Sequence, residues 1–152
     1  MKGLTTSDFD RLTTHVPNFV GAYPHDVKPN PPPPYSIILN TDNHSKKGEH
    51  WVAIHITAKT LFFADSFGRP YTDQSFPRDF VRSITKLCRR RKVFYNRKLI
   101  QDLTSDCCGF YAVFILDRLA LKQSKRSIFK VFTNDLIKND QFVVRYYKNN
   151  FL

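Results

Sequence analysis

The sequence predicts an α+β domain in which one buried central helix packs against a mainly antiparallel sheet, with further helices on its flanks. Two observations carry this prediction. The run from Cys108 to about Lys122 is apolar on nearly every side, which is typical of a helix buried all round. Three runs with the alternation of half-buried strands follow one another earlier in the chain, at residues 35–40, 48–56 and 60–65. We expect strands in such a series to form an antiparallel meander.

Caps, breakers and periodicity place the remaining elements. Thr6 or Ser7 is a candidate cap for a short helix that runs to about His15 and is ended by Pro17. A long loop follows, and the prolines at 31–34 make a stiff spacer before the first strand. The other predicted elements are an amphipathic helix at 78–87, a strand at 93–96, and helices at 127–132 and 140–147.

Composition narrows the class of protein. The chain has 152 residues, 41% of them hydrophobic, which suits a single domain over residues 1–152 that buries a core without cross-links. Three cysteines, two of them adjacent, make no disulfide framework, and no His/Cys cluster has metal-ligand spacing. We therefore expect free thiols and no metal. No apolar run could span a membrane and no secretion signal opens the chain, so we expect an intracellular monomer without a membrane partner.

The charge of the chain points to an anionic partner. There are 24 Lys and Arg against 13 Asp and Glu, a formal net charge of +11. Such an excess on a small domain attracts polyanions, and no zinc finger or RNA-binding signature suggests sequence-specific contact, so we predict non-specific nucleic-acid binding. For any single run of basic residues, the alternative to nucleic-acid binding is an ordinary solvent-exposed surface. The candidate binding residues are Arg89, Arg90, Arg91 and Lys92, within a cluster that extends to Lys86, Arg97 and Lys98; Lys122, Lys125, Arg126 and Lys130 form a second cluster.

Two adjacent thiols stand at the predicted start of the central helix. The unpaired N–H groups and the dipole of a helix N-terminus stabilise a thiolate, so Cys107 or Cys108 is a candidate nucleophile. Successive helical residues point about 100° apart, so only one thiol can face a given base. Gly109 lacks a Cβ and would let a substrate approach closely.

Thiol catalysis also needs a base, an orienting carboxylate and an oxyanion donor, and each has a candidate upstream. His50 lies on the second strand-like run and Asp65 ends the third, and a short linker makes the two runs hairpin partners. The carboxylate would then fix the tautomer of the imidazole. Gln101 could donate its amide N–H to the oxyanion together with the backbone N–H of Cys108.

This set of residues resembles the adenovirus maturation protease and its relatives, with the proteases of Maverick/Polinton elements and adintoviruses most alike and the Ulp-type SUMO proteases more distant. The resemblance implies a papain-like arrangement and a cysteine endopeptidase that cuts capsid precursor proteins at glycine-containing sites. It also implies a host nucleus or virion location, and DNA and an activating peptide as possible cofactors. The residues that carry it are His50 with Trp51, Asp65 closing a strand, and Gln101 seven positions before Cys108, which Gly109 follows.

Several alternatives stay open at this point. Cys108 is the preferred nucleophile because the glycine directly follows it, but Cys107 matches the Ulp-type spacing. Trp51 is either a wall of the substrate cleft or a core residue. Cys88 could tether an activating peptide or be an ordinary helix-face cysteine. The chain could also be a SUMO-specific or ubiquitin-like-protein-specific protease, a basic nucleic-acid-binding module, or an inactive scaffold.

Overall fold

The computed structural model describes residues 3–150, which form a mixed sheet with helices on both faces. The helices are α1 (Thr6–Leu12), α2 (Arg78–Cys88), α3 (Cys108–Ala120), α4 (Lys125–Lys130) and α5 (Leu136–Asn150). The strands are β1 (Phe19–Pro24), β2 (Tyr35–Asn40), β3 (Trp51–Ile56), β4 (Thr60–Ala64) and β5 (Lys92–Tyr95). The α+β class predicted from the sequence is confirmed.

The five strands lie in chain order across one open sheet. β2, β3 and β4 pair antiparallel, which confirms the predicted meander. β1 pairs parallel with β2, and β5 pairs parallel with β4. The prediction of a mainly antiparallel sheet is therefore wrong, since half of the pairings are parallel. The chain reaches each outer pairing through a crossover, the one to β5 carrying α2, and a crossover brings a strand back in the same direction.

β1 was predicted as part of a long loop, and the structure corrects this. All six of its residues are half-buried, so no alternation marks it as a strand. Gly21 and Pro24 interrupt the strand pattern, and the register with β2 shifts between Phe19 and Ala22. Such interruptions are tolerated on an edge strand, where only one side of the ladder is paired.

The two faces of the sheet carry two hydrophobic cores. On one face lies α2, the predicted amphipathic helix, whose residues Phe80, Ile84 and Leu87 are buried. On the other face lies α3, buried from Cys108 to Asp117. α1, α4 and α5 cover α3 from outside. The predicted buried central helix is thus confirmed. No helix within residues 3–150 is both long and apolar enough to cross a bilayer.

The flanking helices differ from prediction at their ends. α1 is capped by Thr5, which forms a capping box with Asp8, rather than by either predicted residue. α5 begins at Leu136, four residues before the predicted start. Helix ends depend on local hydrogen bonds that hydrophobic periodicity does not report.

Gly109 has a packing role that the sequence did not reveal. It is buried in the first turn of α3, under α1 and the segment before it. A Cβ at this position would lie 2.9 Å from Phe9 Cζ and 3.2 Å from Leu4 Cβ. The missing side chain therefore admits these two residues against α3. The expected role of Gly109 in substrate binding stays a prediction.

We predict that Gly109→Ala destabilises the fold by about 1–3 kcal/mol, because the fully buried Phe9 ring has little room to move. An ordinary Gly→Ala change inside a helix stabilises the fold by up to about 1 kcal/mol, so a clash with Phe9 and a gain in helix propensity predict changes in stability of opposite sign. Urea unfolding followed by circular dichroism measures the difference. Phe9→Leu in the same background should recover part of the loss in a double-mutant cycle. Additive effects, or a more stable Gly109→Ala protein, would contradict the contact.

Candidate functional site

A cleft of about 980 Å³ opens at one edge of the sheet. Its walls come from the segment before α1, the loop before β3, the turn after β4 and the loop that leads into α3. The strand order explains why these segments meet. The start of β3 lies beside the end of its antiparallel partner β4, and the parallel strand β5 ends at the same edge. Residues that precede β3 or follow β4 and β5 therefore converge there.

His50 and Asp65 meet at this edge as the hairpin predicted. Ala53 pairs with Ala64, so continuing the register places Asp65 opposite Val52 and His50 opposite Phe67. The His50 ring stacks on the Phe67 ring with centroids 4.8 Å apart, in agreement with that register. His50 Nε2 and Asp65 Oδ1 are 2.5 Å apart. This bond leaves the other ring nitrogen, Nδ1, for a second partner.

The backbone of Asp65 is clamped from the neighbouring strand. Asn96 directly follows β5, its side-chain Oδ1 accepts from Asp65 N at 3.0 Å, and its Nδ2 donates to Asp65 O at 2.6 Å. Both residues are buried. The sequence analysis assigned Asn96 no role. Its position just after a strand indicates a contact with Asp65 only once the parallel pairing of β4 and β5 is known.

Arg69 is a second residue that the sequence analysis missed, because it stood in a segment interpreted only as a turn. Its Nε donates to Asp65 Oδ2 at 2.7 Å, and its backbone N–H donates to the same oxygen at 3.2 Å. Its guanidinium lies over the rings of Phe67 and Phe76, 5.2 and 4.1 Å from their centroids. Both oxygens of the Asp65 carboxylate are thus occupied.

The turn that carries Arg69 depends on Gly68. This residue has a φ of 74°, and a Cβ there would lie 2.8 Å from the Lys98 carbonyl carbon. A glycine accepts this backbone conformation without strain. The turn closes through a hydrogen bond of 2.8 Å from Gly68 N to Asp65 O.

Hydrogen bonds and neighbouring charges shift the pKa values of both Asp65 and His50. Burial alone would raise the pKa of Asp65, but hydrogen bonds and charge from His50 and Arg69 outweigh it and hold the pKa below its usual value. Burial alone would lower the pKa of His50, but hydrogen bonds and charge from Asp65 and Cys108 raise it to about 9. His50 is therefore an imidazolium at neutral pH when it faces a thiolate.

The two adjacent thiols have different surroundings. Cys108 is the first residue of α3, lines the cleft, and lies within hydrogen-bonding reach of His50. Cys107 is 1% exposed and belongs to the hydrophobic core behind the cleft. Burial raises the pKa of Cys107 to about 11. Only Cys108 has both an adjacent base and contact with the cleft.

Gln101 lies behind the cleft wall rather than in it. Its side chain is buried, and its Oε1 accepts a hydrogen bond from Ser66 Oγ at 2.5 Å. Its Nε2 donates to Ser105 O at 2.9 Å and to Ser105 Oγ at 3.1 Å. The side-chain amide of Gln101 is therefore held by Ser105, four residues further along the loop that leads into α3. It can reach an oxyanion only after releasing the Ser105 hydroxyl.

Trp51 lines the cleft with one side and packs inward with the other. Its ring meets Phe9 edge to face, with centroids 5.0 Å apart. It is half-buried, and the cleft takes in Trp51 together with Phe67. Trp51 therefore lines the cleft and also packs on the core, and its contact with a substrate stays a prediction.

The remaining candidates lie away from the cleft. Arg89, Arg90 and Lys92 are exposed around the turn between α2 and β5. Arg91 donates to the carbonyls of Thr57 and Leu87 at 2.8 and 2.9 Å, so its side chain stabilises that turn.

The thiol of Cys88 is half-buried and hydrogen-bonds to the Tyr71 hydroxyl. Burial raises the pKa of Cys88, which disfavours thiol exchange.

Within residues 3–150 no group of three or more His, Cys, Asp and Glu side chains is arranged to hold a metal ion. Comparison of the chain with models of protein families found no match. Comparison with curated proteins found none either.

Proposed function

We propose that this chain is a cysteine endopeptidase whose nucleophile is Cys108. One observation carries the proposal. A thiol at the start of a buried helix lies within hydrogen-bonding reach of an imidazole that also bonds a buried carboxylate, and the thiol and the imidazole both line one cleft. A nucleophile, its base and the group that orients the base are the parts that covalent acyl transfer requires.

The reaction follows from these positions. Cys108 Sγ gives its proton to His50, and the thiolate attacks the carbonyl carbon of the scissile peptide. The tetrahedral intermediate collapses as the C–N bond breaks, and His50 returns the proton to the leaving amine. A thioester remains on Sγ. Water then gives a proton to His50 and attacks the thioester, which releases the carboxylic acid product and the thiol.

The oxyanion would be stabilised at the start of α3. The first N–H groups of a helix have no acceptor within it, so the Cys108 N–H can donate there. We assign the second donation to Gln101, which exchanges its bond to Ser105 Oγ for one to the oxyanion. The retained bonds to Ser66 and to the Ser105 carbonyl would keep the amide in place.

The substrate we propose is an extended peptide with glycine at the cut, lying along the wall made by Trp51 and Phe67. The glycine preference and the processing of capsid precursors, in a host nucleus or a virion, rest on the family resemblance. So does modulation by DNA or an activating peptide. The position of Cys107 in the core disfavours the Ulp-type alternative in which it would be the nucleophile.

The deciding experiment is labelling of the protein with a glycine-ended peptide vinyl sulfone, followed by mass mapping. We expect labelling at Cys108, loss of labelling in Cys108→Ser and His50→Ala, and retention in Cys107→Ser. The physical reason is that, of the two adjacent thiols, only Cys108 lies both at the cleft and beside a base that can take its proton. Cys107→Ser is the matched control, since it changes the same group one position away. The wild type should also cleave a glycine-containing fluorogenic peptide.

Labelling at Cys107 that depends on His50 would reverse the assignment of the nucleophile. Equal labelling of both thiols by iodoacetamide with none by the peptide reagent, with DNA present or absent, would contradict the protease proposal. Circular dichroism of each variant shows whether a loss reflects chemistry or unfolding.

We predict that His50 titrates near pH 9 in the wild type and at lower pH in Cys108→Ala, because the thiol contributes to the raised pKa. Imidazole NMR chemical shifts measure both. The pKa of His50 is raised on folding, so its contribution to stability is full below pH 6.5 and is lost as pH rises through 9. The stability difference between wild type and His50→Gln should therefore shrink by about 3 kcal/mol over that window. A stability difference between the two proteins that does not change with pH would contradict the ion pair between His50 and Asp65.

Arg69 is predicted to be a positioning residue for Asp65. Arg69→Met removes the guanidinium, so the pKa of Asp65 should rise and His50 should lose its fixed orientation. We expect kcat/KM to fall about 10- to 100-fold through kcat, and the acid limb of the pH profile to move to higher pH. Arg69→Lys should restore part of both. Arg82→Met, which removes an exposed arginine from α2, is the control. A loss of activity without a shifted acid limb would indicate a structural role alone.

A further inference from the structure

A second cavity lies between β5 and α4, and it shares no residue with the cleft. It is a groove of about 450 Å³. One wall is formed by the end of β5 and the residues that follow it, and the other by α4. The proposed peptidase mechanism places no substrate and no reacting group in this groove, although Asn96, which holds the backbone of Asp65, is among its lining residues.

The floor of the groove is aromatic. Phe62 and Phe94 are direct partners across β4 and β5, so their rings stand side by side on one face of the sheet. Phe129 of α4 faces Phe62 with an interplanar angle of 14°. Phe94 is half-buried and lines the groove, so part of its ring is open to it, whereas Tyr95 points to the opposite face of the sheet and packs against the core beside α2.

The rim of the groove is basic on both sides. The two basic clusters that are separate in the sequence meet here, because α4 lies against the face of the sheet that carries Phe62 and Phe94. No acidic residue lines the groove. Its cationic lining residues are Arg97 and Lys98 on the β5 side, and Lys125, Arg126 and Lys130 on the α4 side.

Ammonium groups rest on the aromatic rings. Lys125 Nζ lies 4.8 Å from the centroid of Phe94 and 5.2 Å from that of Phe62, and Lys92 Nζ lies 5.3 Å from the centroid of Phe94. Lys125 and Lys92 therefore cover the accessible part of the half-buried Phe94 ring, whereas the Phe62 ring is buried. A ligand with a flat ring and a neighbouring negative charge could take a ring face while the ammonium moves to the charge.

We propose that this groove binds an unpaired stretch of nucleic acid, with a base stacked on Phe94 and its phosphates held by the cations of the rim. Stacking on aromatic side chains under a basic rim is how proteins hold single strands without regard to sequence. A duplex keeps its base faces covered by neighbouring bases, so only its phosphates could meet the groove. An acidic peptide could pair with the cations of the rim, but its carboxylates have no flat ring to stack on Phe94.

The test is binding of a fluorescent twelve-residue thymidine oligonucleotide to the full chain by anisotropy, at several salt concentrations. A duplex of equal length and a polyglutamate peptide are competitors. We expect the single strand to bind more tightly than either. Phe94→Leu should weaken binding of the single strand at least about fivefold without changing the salt dependence. Lys125→Gln with Arg126→Gln should reduce the slope of log K against log salt by about 1.4.

Arg89→Gln with Arg90→Gln is the matched control, because it removes the same charge from an exposed turn outside the groove. It should leave the effect of Phe94→Leu intact and cost less affinity than the groove pair. Equal losses from both pairs and none from Phe94→Leu would overturn the proposal in favour of diffuse charge. Competition by polyglutamate as strong as by the single strand would overturn it in favour of an acidic peptide. Labelling of Cys108 is measured separately, so neither result depends on the peptidase proposal.

Discussion

The carboxylate of Asp65 is fully buried at the edge of the sheet, and the rest of the cleft is arranged around it. An isolated buried carboxylate is strongly disfavoured, so the fold must supply partners of opposite charge and good geometry. Here His50 takes one oxygen and Arg69 the other. Asn96 holds the peptide groups on both sides of the residue. Through its side chain and its backbone, Asp65 therefore ties together the start of β3, the end of β4 and the end of β5.

The position of the thiol rests on a different constraint, which is the burial of α3. This helix is buried from Cys108 to Asp117, and its first turn lies beside both α1 and the cleft. One step of helical rotation separates Cys107 in the core from Cys108 at the cleft. Gly109 completes this arrangement by leaving room for Phe9 and Leu4, so α1 can cover the helix without reaching the cleft side of Cys108.

The cleft and the groove lie on different parts of the sheet and differ in chemistry. In the cleft, acidic and basic side chains occur together around His50 and Cys108. The groove has cations alone above aromatic rings. The two functions we propose, peptide cleavage at the cleft and nucleic-acid binding at the groove, therefore use different residues. Of the 24 Lys and Arg residues in the chain, five line the groove.

The sequence by itself determined the elements whose signals are local. Apolar periodicity predicted α2 and α3, strand alternation predicted β2 to β4, and the hairpin placed His50 beside Asp65. The tertiary structure decided what depends on residues far apart in the chain. The parallel pairing of β5 brought Asn96 to Asp65, the turn at Gly68 brought Arg69 to the same carboxylate, and the packing of α1 gave Gly109 its role. Local patterns report which face of an element is apolar, but they do not report which distant element covers that face, because that choice is made by the packing of the whole chain.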